Sequence, residues 1–505
     1  KAAKNITLLD PCMGSGHVLV FALPILAALR VAEEGISPAA AIEAVLRDNL
    51  YGLEIDPRCT QIAAFNLALA AWRCVGHRPL PAPHLACSGL SLGVTKAEWL
   101  KLAERAADAL PMPPKTDLLG TEENLFSDAM KRGFERLYDL FSRAPWLGSL
   151  IQPRVAGGDL IEYGFADLEP LLAKVMARAD SAELSEMAVA SQGLAKAAEI
   201  LAGSFTLVAT NVPYLGRGKQ DDVLKTYCEL FHEDAKADLA TCFVERCEEF
   251  CTPNGTISVV TPQNWLALTR YSNFRKRLLR ETNWNFVARL GEHAFESLQA
   301  AGAFVALVGI TVRQHSPINT FVAVDTSSAA LPVEKARHLY GDAVLLLAQE
   351  DQYANPSHGI SFAAKSEYAL LSDFCQSYQG LCTSDDPQFL FAFWELPTVN
   401  SDWKWLQSSA EMSGWIGGSS SVLLWEGGRG RYYRHAMALK EVGRLGGWKS
   451  GGEAWDKMGL AINVTRHLHV NLYRGDFFDN TIAAVIPNEE SLLLPILAFV
   501  SSPDY

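Results

Sequence analysis

Three short stretches of the 505-residue chain carry residue types that could do chemistry together. The first, Asn211-Val212-Pro213-Tyr214, closes the apolar run "FTLVAT" with an amide, a rigid ring and an aromatic face. An exocyclic amine on a nucleobase is a poor nucleophile because its lone pair is delocalised into the ring. Two acceptors aimed at its hydrogens favour the pyramidal, reactive form as a methyl group arrives. The side-chain oxygen of Asn211 is one such acceptor and the main-chain carbonyl of Val212 is the other. Pro213 stiffens the backbone so that the two converge, and Tyr214 offers a face for stacking the base. Out of context, a proline turn with a half-buried tyrosine is the plain alternative.

The second stretch is "LLDPCMGSGHVL". Asp10 and Pro11 end an apolar strand, and Gly14, Ser15 and Gly16 make the turn into a helix. Glycines there let a ligand approach the backbone, and free amides at a helix start favour polar or anionic groups. The third is "YGLEIDP", where Glu54 closes the next strand in position to take both hydroxyls of a ribose. Ile55 beside it can lie against an adenine ring. A dinucleotide site would show a third glycine, G-x-G-x-x-G, which is missing. A ribose-and-adenine ligand without a pyrophosphate fits better, and S-adenosyl-L-methionine is such a ligand.

The elements that must position these residues follow from periodicity. Residues 5–90 alternate strand, helix, helix, strand, helix, strand, which implies a parallel, doubly wound α/β sheet of the Rossmann-like type. Residues 91–200 read as a helical insertion. Strand-helix alternation then resumes from "FTLVATN" to "AGAFVALVGITV". Past residue 325 short strands, tryptophans and glycine-rich loops take over. The expected division is a catalytic domain over 1–325 and a β-rich recognition domain over 326–505. Neither "KAAKNITLLD" nor "SSPDY" reads as a natural terminus, so a piece of a longer protein is expected, with the second domain incomplete at its carboxyl end.

Bulk properties narrow the classes. The 44 Lys and Arg against 57 Asp and Glu leave a net charge of −13. That argues against a chain coated with nucleic acid but leaves room for one local basic groove. No run of about 18 apolar residues suggests a membrane span, and no signal peptide opens the chain. The ten cysteines form no CxxC pair, and the spacing of Cys242, Cys247 and Cys251 suits no zinc site. Reduced thiols in a cytoplasmic protein without a metal centre are the expectation.

The order "DPCMGSGH", "GLEIDP", "NVPY" resembles the amino-methylating, adenine-specific DNA methyltransferases, whose last motif is usually Asn-Pro-Pro-Tyr. The resemblance spans roughly residues 5–315. It implies a class I methyltransferase fold and an S-adenosyl-L-methionine site at Asp10, Pro11, Gly14, Ser15, Gly16, Glu54 and Ile55. It implies double-stranded DNA as partner, with the target adenine flipped out onto Asn211, Val212, Pro213 and Tyr214. Phe295 stands where the family often places a second aromatic. The strand-three acid that usually touches the cofactor's adenine is absent. Ser88 holds that topological place, and Asp159 is the alternative.

For gripping DNA, Arg217 and Lys219 follow the motif directly. Residues 425–452 are basic and interleaved with aromatics, with Arg429, Arg431, Arg434 and Lys449 as candidates for phosphate and base-edge contacts. The arginine-rich stretch 270–280 reads instead as a solvated helix face. The carboxy-terminal texture resembles the large methyltransferases of bacterial anti-phage systems, of the BREX and single-chain restriction-modification kinds, which implies further defence proteins as partners. Two other readings stay open: a non-catalytic DNA-recognition subunit, and a protein glutamine methyltransferase.

Overall fold

The computed structural model describes residues 1–90, 95–101, 132, 135, 138–153, 182–295, 302–313, 316, 318–341, 344–363, 369–441, 446–464 and 468–502. The chain forms two compact units, Lys1–Ala364 and Lys365–Tyr505.

The first unit is built on a mixed sheet of nine strands among the described residues, in the spatial order His84–Cys87, Leu50–Glu54, Leu8–Asp10, Phe205–Asn211, Cys251–Pro262, Val305–Thr311, Asn283–Gly291, Thr320–Asp325, Leu345–Ala348. Strands β1 (Leu8–Asp10), β2 (Leu50–Glu54), β3 (His84–Cys87), β4 (Phe205–Asn211) and β5 (Cys251–Pro262) run parallel. β7 (Val305–Thr311) lies antiparallel between β5 and β6 (Asn283–Gly291). β1 is only three residues long and all three are buried, as expected of a strand covered on both faces.

Helix starts are written into the sequence. α2 (Pro38–Asp48) opens with Pro38 behind Ser37, whose hydroxyl accepts from the Ala40 amide at 3.2 Å. α3 (Pro57–Val75) opens with Pro57 behind Asp56, which accepts from the Arg58 amide at 2.8 Å. Both are N-caps followed by a proline that needs no donor. α1 (His17–Glu34) packs beside them on one face. After β3 comes the expected insertion, much of which lies outside the described residues, Asp159 included. It ends in the helix α4 (Ala182–Ala202). Helices α5 (Asp222–Phe231), α6 (Leu239–Phe250) and α7 (Ser272–Glu281) follow.

The expected domain boundary after residue 325 and the observed unit differ. β8 (Thr320–Asp325) pairs with β6, and β9 (Leu345–Ala348) pairs with β8. Gln349, fully buried, then accepts from the Trp284 amide at 2.9 Å and donates to the carbonyls of Leu279 and Thr282 at 2.7 Å each. These bonds keep the chain in the first unit to Ala364.

The second unit is β-rich. One sheet runs β10 (Cys375–Gln379), β17 (Ile482–Pro487), β14 (Gly459–Asn463), β15 (Val470–Tyr473). The other runs β11 (Leu390–Ala392), β13 (Ser421–Leu424), β12 (Trp403–Gln407), β16 (Phe477–Phe478). Four of its tryptophans, Trp403, Trp425, Trp448 and Trp455, join one apolar cluster: Trp425 stacks on Trp448 at 5.9 Å between ring centres, and Trp455 on Phe477 at 3.8 Å.

The arginine-rich helix α7 overturns one expectation. Arg275 is fully buried and its guanidinium donates to five carbonyls, those of Trp265, Ala267, Leu268, Ser357 and His358. Arg277 pairs with Glu245, Glu248 and Glu281, and Arg280 lies over the Tyr353 ring. Arg275 is structural because it falls on the buried side of the helix, so its charge must be met by protein groups rather than water; Arg270, Lys276 and Arg280 are exposed, as the solvated-face reading expected. Replacing Arg275 with alanine strands several buried carbonyls and should cost about 3 kcal/mol or more. Lys276→Ala, on the exposed side, should stay within about 0.5 kcal/mol. Chemical denaturation followed by tryptophan fluorescence checks both, and equal effects would contradict the assignment.

Candidate active site

In an open parallel sheet a crevice forms where strand order reverses, outside the carboxyl ends of the strands. Here the reversal falls between β1 and β4, which are neighbours but are approached from opposite directions. β1 ends at Asp10, β2 at Glu54 and β4 at Asn211. The three polar residues singled out in sequence therefore finish three adjacent strands at the same edge.

A cleft of about 270 Å³ opens there. Pro11, Cys12, Glu54 and Ile55 line it from the first two strand ends, Asn211 and Pro213 from the third. Leu224 of α5 and Leu239 and Phe243 of α6 add an apolar side, and Trp146–Leu150 form a further wall. A mainly apolar pocket with a few fixed polar groups suits a small organic ligand.

Glu54 is 9 % exposed and already engaged. Its Oε2 accepts from the Gly14 amide at 2.7 Å, and its Oε1 from the amides of Ile55 and Asp56 at 2.9 and 3.0 Å. An ionised carboxylate offers about four acceptor positions, so about one is left. The expected grip on both ribose hydroxyls narrows to one hydroxyl in this arrangement. The same bonds lock the glycine turn. Gly14 has φ +53° and a Cβ there would meet nothing within 4 Å, so its backbone borders open space. Gly16 has φ +83° and a Cβ there would come within 3.0 Å of the Ala63 Cβ. The first glycine is needed for conformation and the second also for packing α1 on α3. Ser15 bonds His17 through its hydroxyl and Asn66 through its carbonyl.

Asp10 lies beneath the cleft, 1 % exposed, and accepts from the Cys12 amide at 3.1 Å. Burial raises its pKa from 3.8 to about 7, with the Thr210 hydroxyl and the Cys12 amide offsetting part of the rise. Ser88 is fully buried. Its hydroxyl pairs with that of Ser149 at 3.1 Å, so it meets the cleft through Ser149 and is not itself a lining residue.

At the third strand end Asn211 is exposed while Val212 is 2 % exposed. The Val212 amide donates to the Val260 carbonyl at 3.3 Å and extends the β4–β5 ladder one residue past the strand. Tyr214 is half-buried in one apolar cluster with Phe295, Leu290 and Val305. Its hydroxyl has no partner among the described residues, and burial, then Asp238, raises its pKa. Asp238 ties this loop to α6 by accepting from the Leu215 amide at 3.4 Å and capping the helix through the Ala240 amide at 2.9 Å.

The DNA-contact candidates divide. Arg217 is ion-paired with Glu229, whereas Lys219 is exposed. In the second unit Arg429, Arg431, Arg434 and Lys449 are exposed. The stretch is not a loop of alternating cations and rings, however. Residues Arg431–Glu441 form a helix, α8, and Trp425, Tyr432 and Trp448 belong to the core. Tyr432 is fully buried and donates to the Trp448 carbonyl at 2.9 Å.

Sequence reasoning missed the Trp146–Leu150 wall, Leu224, Leu239 and Phe243. The wall sits inside a stretch whose helical periodicity carries no chemical signal. Its one mark is "APWLGSL", a proline, tryptophan and glycine together.

The first unit has the Rossmann-like fold of class I methyltransferases, and a β-rich unit follows it in sequence. Residues 48–295 match the family model described as Eco57I restriction-modification methylase, and the chain resembles the adenine-specific methyltransferases of BREX and restriction-modification systems. It is 28 % identical over 307 residues to the adenine-specific methyltransferase PglX of Lacticaseibacillus casei (strain Zhang), covering 59 % of this chain and 23 % of that protein. It is 27 % identical over 303 residues to the adenine-specific methyltransferase BrxX of Escherichia coli O9:H4 (strain HS), covering 58 % and 24 %. The matched stretch thus spans about a quarter of the length of these relatives. A structure of the Type ISP restriction-modification enzyme LlaGI, a nuclease-deletion mutant in complex with a DNA substrate mimic, shares the fold. Its TM-score is 0.50 at 12 % identity, over 96 % of this chain and 39 % of that one. No helix among the described residues is long and apolar enough to cross a membrane.

Asp10 makes stability depend on pH in a defined direction. The folded chain keeps this carboxyl protonated up to about pH 7, while the unfolded chain releases the proton above about pH 4. The folded state then binds more protons, so Asp10's contribution weakens as pH rises from about 4 to 7 and levels off above. Asp10→Asn should remove that slope. Urea unfolding should show the variant gaining on the wild type between pH 5 and pH 8, and a constant difference would contradict the raised pKa.

Proposed function

We propose that the chain is the catalytic and DNA-reading part of a site-specific DNA methyltransferase, transferring a methyl from S-adenosyl-L-methionine to the N6 amine of a flipped-out adenine. A bacterial anti-phage setting, BREX or restriction-modification, is the context that the relatives' names support. One observation carries the reading: Asp10, Glu54 and Asn211 end three adjacent strands, and Glu54 and Asn211 line one cleft. A cofactor-type site and a base-type site therefore share a wall.

The residues fit S-adenosylmethionine. Gly14 borders open space, Glu54 is fixed by three amides with one acceptor position to spare, and Ile55 and Phe243 offer apolar surface. When bound there, that cofactor supplies the electrophilic methyl. The chain's own part is positioning and charge stabilisation. The Asn211 oxygen and the Val212 carbonyl accept the two N–H groups of the target amine, and positive charge developing on nitrogen meets dipoles already oriented. Tyr214, backed by Phe295 in one cluster, gives the base a stacking surface. Holding the amine in line with the methyl supplies further acceleration. Lys219 and the exposed Arg429, Arg431, Arg434 and Lys449 contribute phosphate contacts.

Val212 in place of the usual proline has a structural reason. Its amide is a ladder donor, which proline cannot be.

Asn211→Ala should lower N6-methyladenine formation by about 10²- to 10³-fold while leaving S-adenosylmethionine affinity nearly unchanged. Tyr214→Ala should also lower it. Val212→Pro should cost about 1 kcal/mol of stability and change the rate far less than Asn211→Ala. The readouts are sequencing of unmethylated bacterial DNA after incubation with the protein, and calorimetric cofactor binding. Full activity in the Asn211→Ala, Tyr214→Ala double variant would refute the mechanism.

A further inference from the structure

The Trp146–Leu150 wall of the cleft cannot hold itself. It is formed by the end of a four-residue helix, Ala144–Leu147, and a 3-10 turn, Gly148–Leu150, both too short to fix their own curvature. Three successive carbonyls are instead gripped from behind. Arg246 of α6 donates through Nε to the Ser149 carbonyl at 3.1 Å and through Nη2 to the Ile151 carbonyl at 2.8 Å. Tyr227 of α5 donates through its hydroxyl to the intervening Leu150 carbonyl at 2.8 Å. The same Arg246 Nη2 also reaches the Leu201 carbonyl at 2.9 Å, near the end of α4.

Arg246 is 1 % exposed, lies 3.8 Å over the Phe250 ring and pairs with Glu249 at 2.9 Å. Burying a guanidinium this far is costly, and apolar packing of α6 against the wall would not require it. What the planar fork does, and a hydrocarbon cannot, is hold two carbonyls two residues apart at fixed spacing. Gly148 stands opposite Ile55, where a Cβ would come within 3.1 Å of the Ile55 Cδ1. The clamped wall and Ile55 are therefore neighbouring surfaces of the cleft.

We propose that Arg246 and Tyr227 are positioning residues of the cofactor cleft. They preorganise the Gly148–Leu150 wall against Ile55 and so set affinity for the purine end of the cofactor, without touching cofactor or reacting atoms. The inference rests on the S-adenosylmethionine reading above. Preorganisation of this kind lowers the ordering cost of binding and leaves the chemical step alone.

The test uses Tyr227→Phe, which keeps the ring, and Arg246→Lys, which keeps a charge but loses the fork. S-adenosylmethionine Kd is measured by calorimetry, and cofactor KM and kcat by DNA methylation. Tyr227→Phe should raise Kd and KM about five-fold with kcat unchanged, and Arg246→Lys should raise both about ten-fold or more. A lowered kcat at unchanged KM would mean only a smaller folded fraction and would overturn the proposal. Should Arg246→Lys fail to fold, Tyr227→Phe decides alone. A wild-type protein that binds no S-adenosylmethionine would refute the cofactor reading itself. Wild-type binding with an unaltered Kd in Tyr227→Phe would refute this inference only.

Discussion

The first unit depends on one crossing of the chain. After building β1, β2 and β3 outward in one direction, the polypeptide returns over the sheet and lays β4 on the free side of β1. That crossing is what puts Asn211 next to Asp10, although 200 residues separate them in sequence. It also leaves a crevice at the carboxyl ends of β1 and β4 that no side chain of the sheet can fill. Leu224 of α5 and Leu239 and Phe243 of α6 close one side of it. The Glu54 carboxylate, holding the amides of Gly14, Ile55 and Asp56, ties the glycine turn of β1 to the end of β2. The Met13 amide, which donates to the Leu53 carbonyl at 3.0 Å, reinforces that tie.

Much of this was legible in the residues. Alternation of strands and helices predicted the parallel sheet. Asp10, Glu54 and Asn211 were recognisable because a polar residue ending an apolar run has no packing reason to be there. The Trp146–Leu150 wall was not legible. Its contribution to the cleft is made by main chain held in place by distant side chains, and no local pattern records a partner 97 residues away, the separation of Ser149 from Arg246. The unit boundary was misplaced for the same kind of reason. The side chain of Gln349 bonds to residues 65–70 positions earlier, and polar β9 neighbours look like loop until those bonds are seen.

Arginine was the residue type that sequence reasoning handled least well. Arg246, Arg275 and Arg277 all look like surface cations on helices, yet each is bonded to backbone carbonyls or to carboxylates inside the first unit. Their placement follows from packing: a cation on the packed side of a helix must be met by acceptors of the neighbouring elements, as Arg275 is by the carbonyls of Trp265 and Ser357 and Arg246 by those of Ser149 and Ile151. In the second unit the reverse holds. There the rings of the basic stretch went inward to build a core, and Arg429, Arg431, Arg434 and Lys449 stayed exposed. Charge alone did not separate the two cases, and partners did not either, since exposed Arg431 faces Glu426 at 3.7 Å; burial did.

In the proposed reaction the crevice between β1 and β4 holds the cofactor against the Asn211 loop. A crystal structure of the protein with S-adenosylhomocysteine tests it directly. The expected result is the ligand in that crevice, with a ribose hydroxyl on the spare acceptor position of Glu54 and the purine against the joined surface that Ile55 and the Gly148–Leu150 wall form. A ligand bound elsewhere, or one whose ribose leaves Glu54 bonded only to its three backbone amides, would contradict it.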